Sequence, residues 1–360
     1  MKKIYHYCGP VRNVGDQALV DSMRTNLLRA SKQPLHFVQQ DLKFDTPINR
    51  DMVQFINNSF DMLLVGGGGM VMAGDGFKTA SGWQFNISLE DLLKIKVPVV
   101  VYSIGYNVFP GDKNLPPHAI AHLQATQRKA SLFSVRNSGT AEKLEKLGLK
   151  RPEVVPDPAL FMDADTSLPL PGISKKDRFV CINWAGDRVD SRWQGSDYGT
   201  TISKFASALK DVEKLTPFKI LFMNHVFSYD THWNTILGTV FGRKWLSLED
   251  MHPWLYPEQP WAAQLFAGVY KRASASIGMR GHAAMIPFGQ GCPTIAFGSH
   301  PKTSFFAHDA GCFYVDFSCG NLIYSLSTAL TKGQHDQQEK LKTFRTTFDD
   351  FNRRVLEILE

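Results

Sequence analysis

Arg280, Gly281 and His282 stand together in the stretch SASIGMRGHAAMIPFGQGCPTIAFG. An apolar strand pattern runs into the arginine, and a helical pattern opens just after it. Arginine offers a planar fork that fits phosphate or carboxylate. Gly281 lets the backbone close on a ligand, and a helix start adds unpaired N–H donors and a positive dipole end. His282 can give or take a proton near neutral pH. The trio reads as an anion site with an acid attached. Lys302, after the next strand, could supply a second cation, although a solvated lysine would look the same.

Three other loops carry candidate chemistry. Arg136 closes the strand pattern LFSVR and precedes a helix opened by Asn137-Ser138. It could meet an anion or serve a surface salt bridge. Gly66-Gly67-Gly68-Gly69 follows MLLV and leaves the backbone bare, so its N–H groups could approach a ligand. The run fits neither the GxGxxG fingerprint nor the P-loop. Asn13-Val14-Gly15-Asp16 opens the first helix. Asp16 could cap that helix, or Asn13 and Asp16 could bind hydroxyl groups.

The elements that must position these loops alternate. Strand signals fall at 2–8, 35–40, 62–67, 97–105, 132–136 and 153–157, with helical patterns at 16–30, 117–130 and 138–147. Runs such as VPVVV imply strands buried on both faces, and alternation implies a parallel sheet. Residues 164–177 are rich in Pro, Ser, Gly and charge and read as a linker. The pattern then restarts with strands at 178–184, 219–226, 275–279, 293–298 and 313–317, and helices near 200–215 and 261–272. The expected fold is therefore α/β: two doubly wound, Rossmann-like domains, 1–165 and 178–335, facing across a cleft. Residues 336–360 form an amphipathic helix with Leu341, Phe344, Phe348, Phe351, Val355 and Ile358 on one face, expected to pack on the body of the protein. Trp193, Tyr198, His225, Trp233 and Trp254 lie in the aromatic-rich segments 186–198 and 225–260 and could stack on sugars or fill a core.

Composition bounds the function. At 360 residues, 43% hydrophobic and 21% charged, the chain has room for two cored domains. The net charge of +6 comes from scattered basic residues, so nucleic acid is not the expected partner. Five cysteines without paired spacing point to a reduced, cytoplasmic protein and away from zinc. The N-terminus reads as a strand rather than a signal peptide, and no apolar run is long enough to span a bilayer.

Taken in order, NVGDQAL, LLVGGGG, VVVYSIG, FSVRNSGTAEKLEKLG, VVPDPAL, GMRGHAAMIPFGQGCPTIAFG and Lys302 resemble the polysaccharide pyruvyl transferase family. The resemblance spans residues 13 to 302 and implies a GT-B-like arrangement. It implies transfer of pyruvyl from phosphoenolpyruvate, as co-substrate and without a further cofactor or metal, to a saccharide or lipid-linked saccharide, ending in a cyclic ketal. A lipid-linked acceptor would bring the enzyme to a membrane surface. It further implies that Arg280 and His282 bind and activate the donor, with Gly281, Arg136 and Lys302 as further donor ligands. Asn13, Asp16, Gly67 and Gly68 fall to the acceptor, and Asp16 is the candidate base. Gln17 stands where an acid is common in the family, and Ser299-His300-Pro301-Lys302 where Tyr-Asp-x-Lys is frequent. The competing expectation is a nucleotide-sugar glycosyltransferase on the same frame.

Overall fold

The computed structural model describes residues 1–9, 13–39, 46–72, 79–108, 111, 114–193, 196–241, 246–256, 259 and 261–360. The chain divides into two compact units, one of Met1–Pro10, Leu19–Pro158 and Thr343–Glu360, the other of Val11–Ala18 and Ala159–Lys342. The stretch holding Asn13 and Asp16 thus groups with the second unit.

The first unit contains β1 (Lys2–Tyr7), α1 (Val14–Ala30, from Leu19 onward), β2 (Leu35–Gln39), α2 (Arg50–Ser59) and β3 (Met62–Val71). It continues with α3 (Leu89–Lys94), β4 (Val99–Tyr106), α4 (Pro117–Lys129), β5 (Leu132–Val135), α5 (Ser138–Lys146) and β6 (Glu153–Val154). Its six strands are parallel in the order β2-β1-β3-β4-β5-β6. Val99, Val100, Val101, Tyr102 and Ile104 are all buried, as a strand covered on both faces requires. The order reverses between β1 and β3, and such a switch leaves a crevice at the carboxyl ends of those strands.

The second unit repeats the plan. It contains β7 (Phe179–Asn183), α6 (Val189–Trp193), α7 (Tyr198–Leu215), β8 (Lys219–Phe222), α8 (Phe227–Phe241), β9 (Leu246–Ser247) and α9 (Leu248–Met251). Then follow α10 (Ala262–Arg272), β10 (Ala275–Gly278), α11 (Gly281–Gly289), β11 (Thr294–Phe297), α12 (Pro301–Ala310), β12 (Phe313–Val315) and α13 (Leu322–Lys332). The parallel order is β12-β11-β10-β7-β8-β9, with the switch between β7 and β10. The segment 164–177 is not loose. The Asp165 N–H donates to Gln264 O at 3.0 Å, and Leu168 is buried.

The last helix, α14 (Gln337–Leu359), enters the first unit from Thr343 onward. Phe348, Phe351, Val355 and Leu359 are its buried stripe. Tyr102 anchors it: the ring sits edge-on to Phe351 at 4.8 Å, and the hydroxyl donates to Asn352 Oδ1 at 2.6 Å. Among the described residues no helix is long and apolar enough to cross a membrane.

Candidate active site

The switch point of the second sheet carries the densest chemistry. Asn183 ends β7, and Arg280 follows β10 as the residue before α11. Asn183 holds the two loops together: its backbone O accepts from Met279 N at 3.1 Å and its Oδ1 from Arg280 N at 3.2 Å. Arg280 has an extended backbone and makes no side-chain cap bond to its helix, and the helix start turns backbone N–H groups and a positive dipole end toward this switch point.

Two carboxylates hold the Arg280 side chain. Its Nε lies 2.9 Å from Oδ2 of Asp230, and its Nη2 2.5 Å from Oδ1. Nη2 also lies 2.8 Å from Asp187 Oδ1, which pairs with Arg192 Nη2 at the same distance. Asp230 is wholly buried in the first turn of α8 and accepts from Asn183 Nδ2 and from the backbone N–H groups of Gly186, His225 and Val226. Burial works against the charge on Arg280, but the carboxylates of Asp230 and Asp187 beside it keep it firmly charged. Burial likewise opposes the charge on Asp187, and the charges of Arg280 and Arg192 more than offset it, leaving its carboxyl well below the usual range. Arg280 is therefore a braced, pre-oriented cation rather than a bare one, and Nη1 takes part in neither pair.

Gly281 and Lys302 lie side by side. A Cβ on Gly281 would sit 3.4 Å from Lys302 Cε, so the lysine stem runs over the glycine, and its charge also acts on Asp187. On His282 lies the opening turn of α1. A Cβ on Gly15 would come within 2.1 Å of His282 Nδ1. The turn is docked by two further bonds: Val14 N donates to His225 O at 3.3 Å, and Ala263 N donates to Gln17 Oε1 at 3.3 Å. The uncommon Gln17 is thus spent on the start of α10. Within the turn, Asn13 rather than Asp16 is the cap. Asn13 Oδ1 accepts from Asp16 N at 2.9 Å, and its Nδ2 donates to Asp16 Oδ2 at 2.5 Å. This corrects the expectation that Asp16 caps, because a cap side chain precedes the helix and Asp16 is its third residue.

The second unit therefore brings together Asn13, Asp16, Arg280, Gly281, His282 and Lys302. Asp187, Arg192 and Asp230 were not anticipated. They lie in the segments read for their aromatics, and only proximity in the fold pairs them with Arg280. His225 is buried beneath, its Nε2 2.7 Å from Tyr270 Oη. Burial, then the charges of Arg280 and His282, push it far below the ordinary histidine range, so it stays neutral. Trp193 and Trp233 are also core: Trp193 stacks on Phe317 at 4.3 Å and meets Trp233 at 6.3 Å. Tyr198 and Trp254 are exposed.

The remaining predicted residues belong to the first unit. Arg136 is buried, not on the surface, and its Nη1 meets Asp157 Oδ2 at 3.1 Å with both side chains 2% exposed. Gly67 and Gly68 lie inside β3, not in a loop after it, and the register against β4 shifts only beyond them, between Gly68 and Val71. A Cβ on Gly66, at φ +132°, would strike Tyr102 O at 2.3 Å, so glycine is required there, whereas one on Gly67 would meet the end of the Leu19 side chain at 2.7 Å. Gly68, at φ +85°, faces open space. Among the described residues no group of three His, Cys, Asp or Glu could hold a metal ion.

The fold is shared with MnaA of S. aureus solved with UDP, at TM-score 0.61 and 14% identity, covering 99% of this chain and 95% of that one. It is shared with the UDP-GlcNAc 2-epimerase of Neisseria meningitidis bound to UDP-GlcNAc, at TM-score 0.59 and 11% identity over 100% and 99% of the two chains. The glycosyltransferase SnogD of Streptomyces nogalater matches at TM-score 0.53 and 10% identity, covering both chains fully. These likenesses establish a GT-B-like fold. No curated protein matches the sequence. The family model for polysaccharide pyruvyl transferase matches residues 13–301, from the turn on His282 to the residue before Lys302. The chain belongs to the polysaccharide pyruvyl transferase family and is a transferase.

Proposed function

We propose that the protein moves pyruvyl from phosphoenolpyruvate onto two hydroxyls of a saccharide, closing a cyclic ketal. The observation that supports this reading best is the meeting of Arg280, Lys302 and the start of α11 with His282 and the Asn13–Asp16 turn. The donor carries a phosphate and a carboxylate, and the braced guanidinium, the lysine and the helix N–H groups suit both.

His282, protonated, delivers its proton to the terminal methylene, and C2 takes on cationic character. A sugar hydroxyl attacks C2 and yields its proton to Asp16. Inorganic phosphate then leaves C2 with its bonding electron pair, and the neighbouring hydroxyl closes the ketal, passing its proton to the His282 imidazole that gave one up in the first step. The scheme calls on no metal and no cofactor beyond the donor.

Phosphate release from phosphoenolpyruvate, measured across galactosides and N-acetylhexosaminides, tests the reading. Arg280→Ala and His282→Ala should each abolish acceptor-dependent release. Full activity in either variant would remove that residue from the site. The uridine nucleotides bound by the MnaA and Neisseria proteins make the natural competitor. Stabilisation by UDP-GlcNAc without stabilisation by phosphoenolpyruvate would make this a nucleotide-sugar enzyme instead.

A further inference from the structure

Beside this site the second unit exposes large aromatic rings that no part of the donor chemistry uses. Trp254 is 51% exposed, Tyr256 46% and Trp261 43%, and Phe227 and Tyr229 are exposed as well. The rings are paired rather than scattered. Trp254 and Trp261 lie 5.7 Å apart with their planes tilted by 35°, and Phe227 meets Tyr256 edge-on at 5.7 Å. Exposed apolar clusters of this kind mark binding surfaces, whereas single exposed rings do not.

The cluster is continuous with the site. Phe227 opens α8, whose first turn supplies Asp230 to Arg280. Trp261 is the residue before α10, and two residues later Ala263 N bonds Gln17 of the turn that lies on His282. Charge narrows the occupant. Among the described residues of 246–261, Asp250 is an exposed acid and none is Lys or Arg. An anionic bilayer would call for basic residues around the rings, and an acidic ligand would be repelled. A neutral, polyhydroxylated chain fits, because a pyranose offers apolar C–H faces to a ring while its hydroxyls stay in water.

We infer that Trp254 and Trp261, with Tyr256 and Phe227, form a stacking platform for a neutral oligosaccharide, extending the acceptor subsite outward from the Arg280–His282 centre. The inference rests on the pyruvyl-transfer reading. It adds that the acceptor is recognised over several sugar units.

Protein labelled with 5-fluorotryptophan provides the test, with the Trp254 and Trp261 resonances assigned from Trp→Phe variants. It is titrated in ¹⁹F NMR with galactosides and N-acetylhexosaminides of one to six residues, and phosphoenolpyruvate binding is measured on the same sample by calorimetry. Both resonances should shift, with affinity rising with chain length, and Trp254→Ala should raise the hexasaccharide Kd about tenfold. Absence of any shift with intact phosphoenolpyruvate binding overturns the platform and leaves the donor reading standing. Shifts with saccharide but no phosphoenolpyruvate binding keep the platform and sink the donor reading. Shifts produced only by phosphatidylglycerol vesicles, or only by raising the protein concentration, assign the rings to a membrane or to a second copy and overturn the proposal.

Discussion

Gly15 and His282 occupy each other's side-chain space. A Cβ on residue 15 would approach Nδ1 of His282 to 2.1 Å and its Cβ to 2.7 Å. The second distance matters more, because no rotamer moves a histidine Cβ. The glycine of the first motif is thus explained by the histidine of the last, 267 positions away in a 360-residue chain.

Gly15→Ala should therefore damage the enzyme despite alanine's better helix propensity, worth about 1 kcal/mol in a neutral setting. Either the turn or the His282 backbone must give way. The expected result is a fall in kcat of at least about tenfold, read by phosphate release, with a lowered melting temperature. Unchanged kcat would mean that His282 is not held by this contact.

Asp230→Asn keeps the shape of a buried residue that accepts from four N–H donors and from Arg280. The new amide turns a donor toward donors and leaves Arg280 with Asp187 as its carboxylate partner. Stability should fall by about 3 kcal/mol in urea unfolding, and the KM for phosphoenolpyruvate should rise as the guanidinium loses its orientation. A merely structural Asp230 would lower stability and leave that KM in place.

Arg136→Met tests whether the first unit's arginine serves the fold. Its partner Asp157 is as buried as it is, so removing the cation leaves a buried carboxylate without its ion pair. A loss of about 3–5 kcal/mol is expected, and Arg136→Met with Asp157→Leu should recover much of it. A stable single variant with weakened phosphoenolpyruvate binding would instead make Arg136 a donor ligand.

Glu249 should give the protein a pH-dependent stability. Burial raises its carboxyl to about 7, against lowering by hydrogen bonds from Asn224 and Thr231, with Asp230 and Asp250 adding to the rise. Thr231 Oγ1 can donate to Phe227 O at 2.8 Å or to Glu249 Oε2 at 3.1 Å, and the second bond works against the rise that burial imposes. The folded state binds the proton more tightly than the unfolded one. Stability is then full below the ordinary glutamate range near 4.5 and is lost as pH rises through about 7. Discounted for partial solvent access, the loss is about 1–2 kcal/mol. Glu249→Gln should flatten that limb in melting curves taken between pH 4.5 and 7.5, and an unaltered slope would assign the limb to another group.

The parallel architecture was legible because the strands are buried on both faces. The run VVVYSI declares itself without its neighbours, and β–α alternation leaves few topologies open. Helices such as α8 escaped notice because their aromatics obscure the apolar period. Local chemistry was legible where one loop carries it: Arg280, Gly281 and His282 are adjacent, and their strand–helix junction makes an anion site by itself. What the amino-acid order left open was which groups are free. Arg136 and Arg280 look alike as arginines at strand ends, yet one is sealed against Asp157 and the other is braced by Asp187 and Asp230 at a helix start. Tryptophans of similar sequence context divide likewise: Trp193 and Trp233 sink into the core, and Trp254 and Trp261 face solvent. Sequence alone determined the residue types and the strand ends that present them. Tertiary packing decided their partners, because burial and pairing depend on residues brought together across tens to hundreds of positions, and no local pattern encodes that proximity.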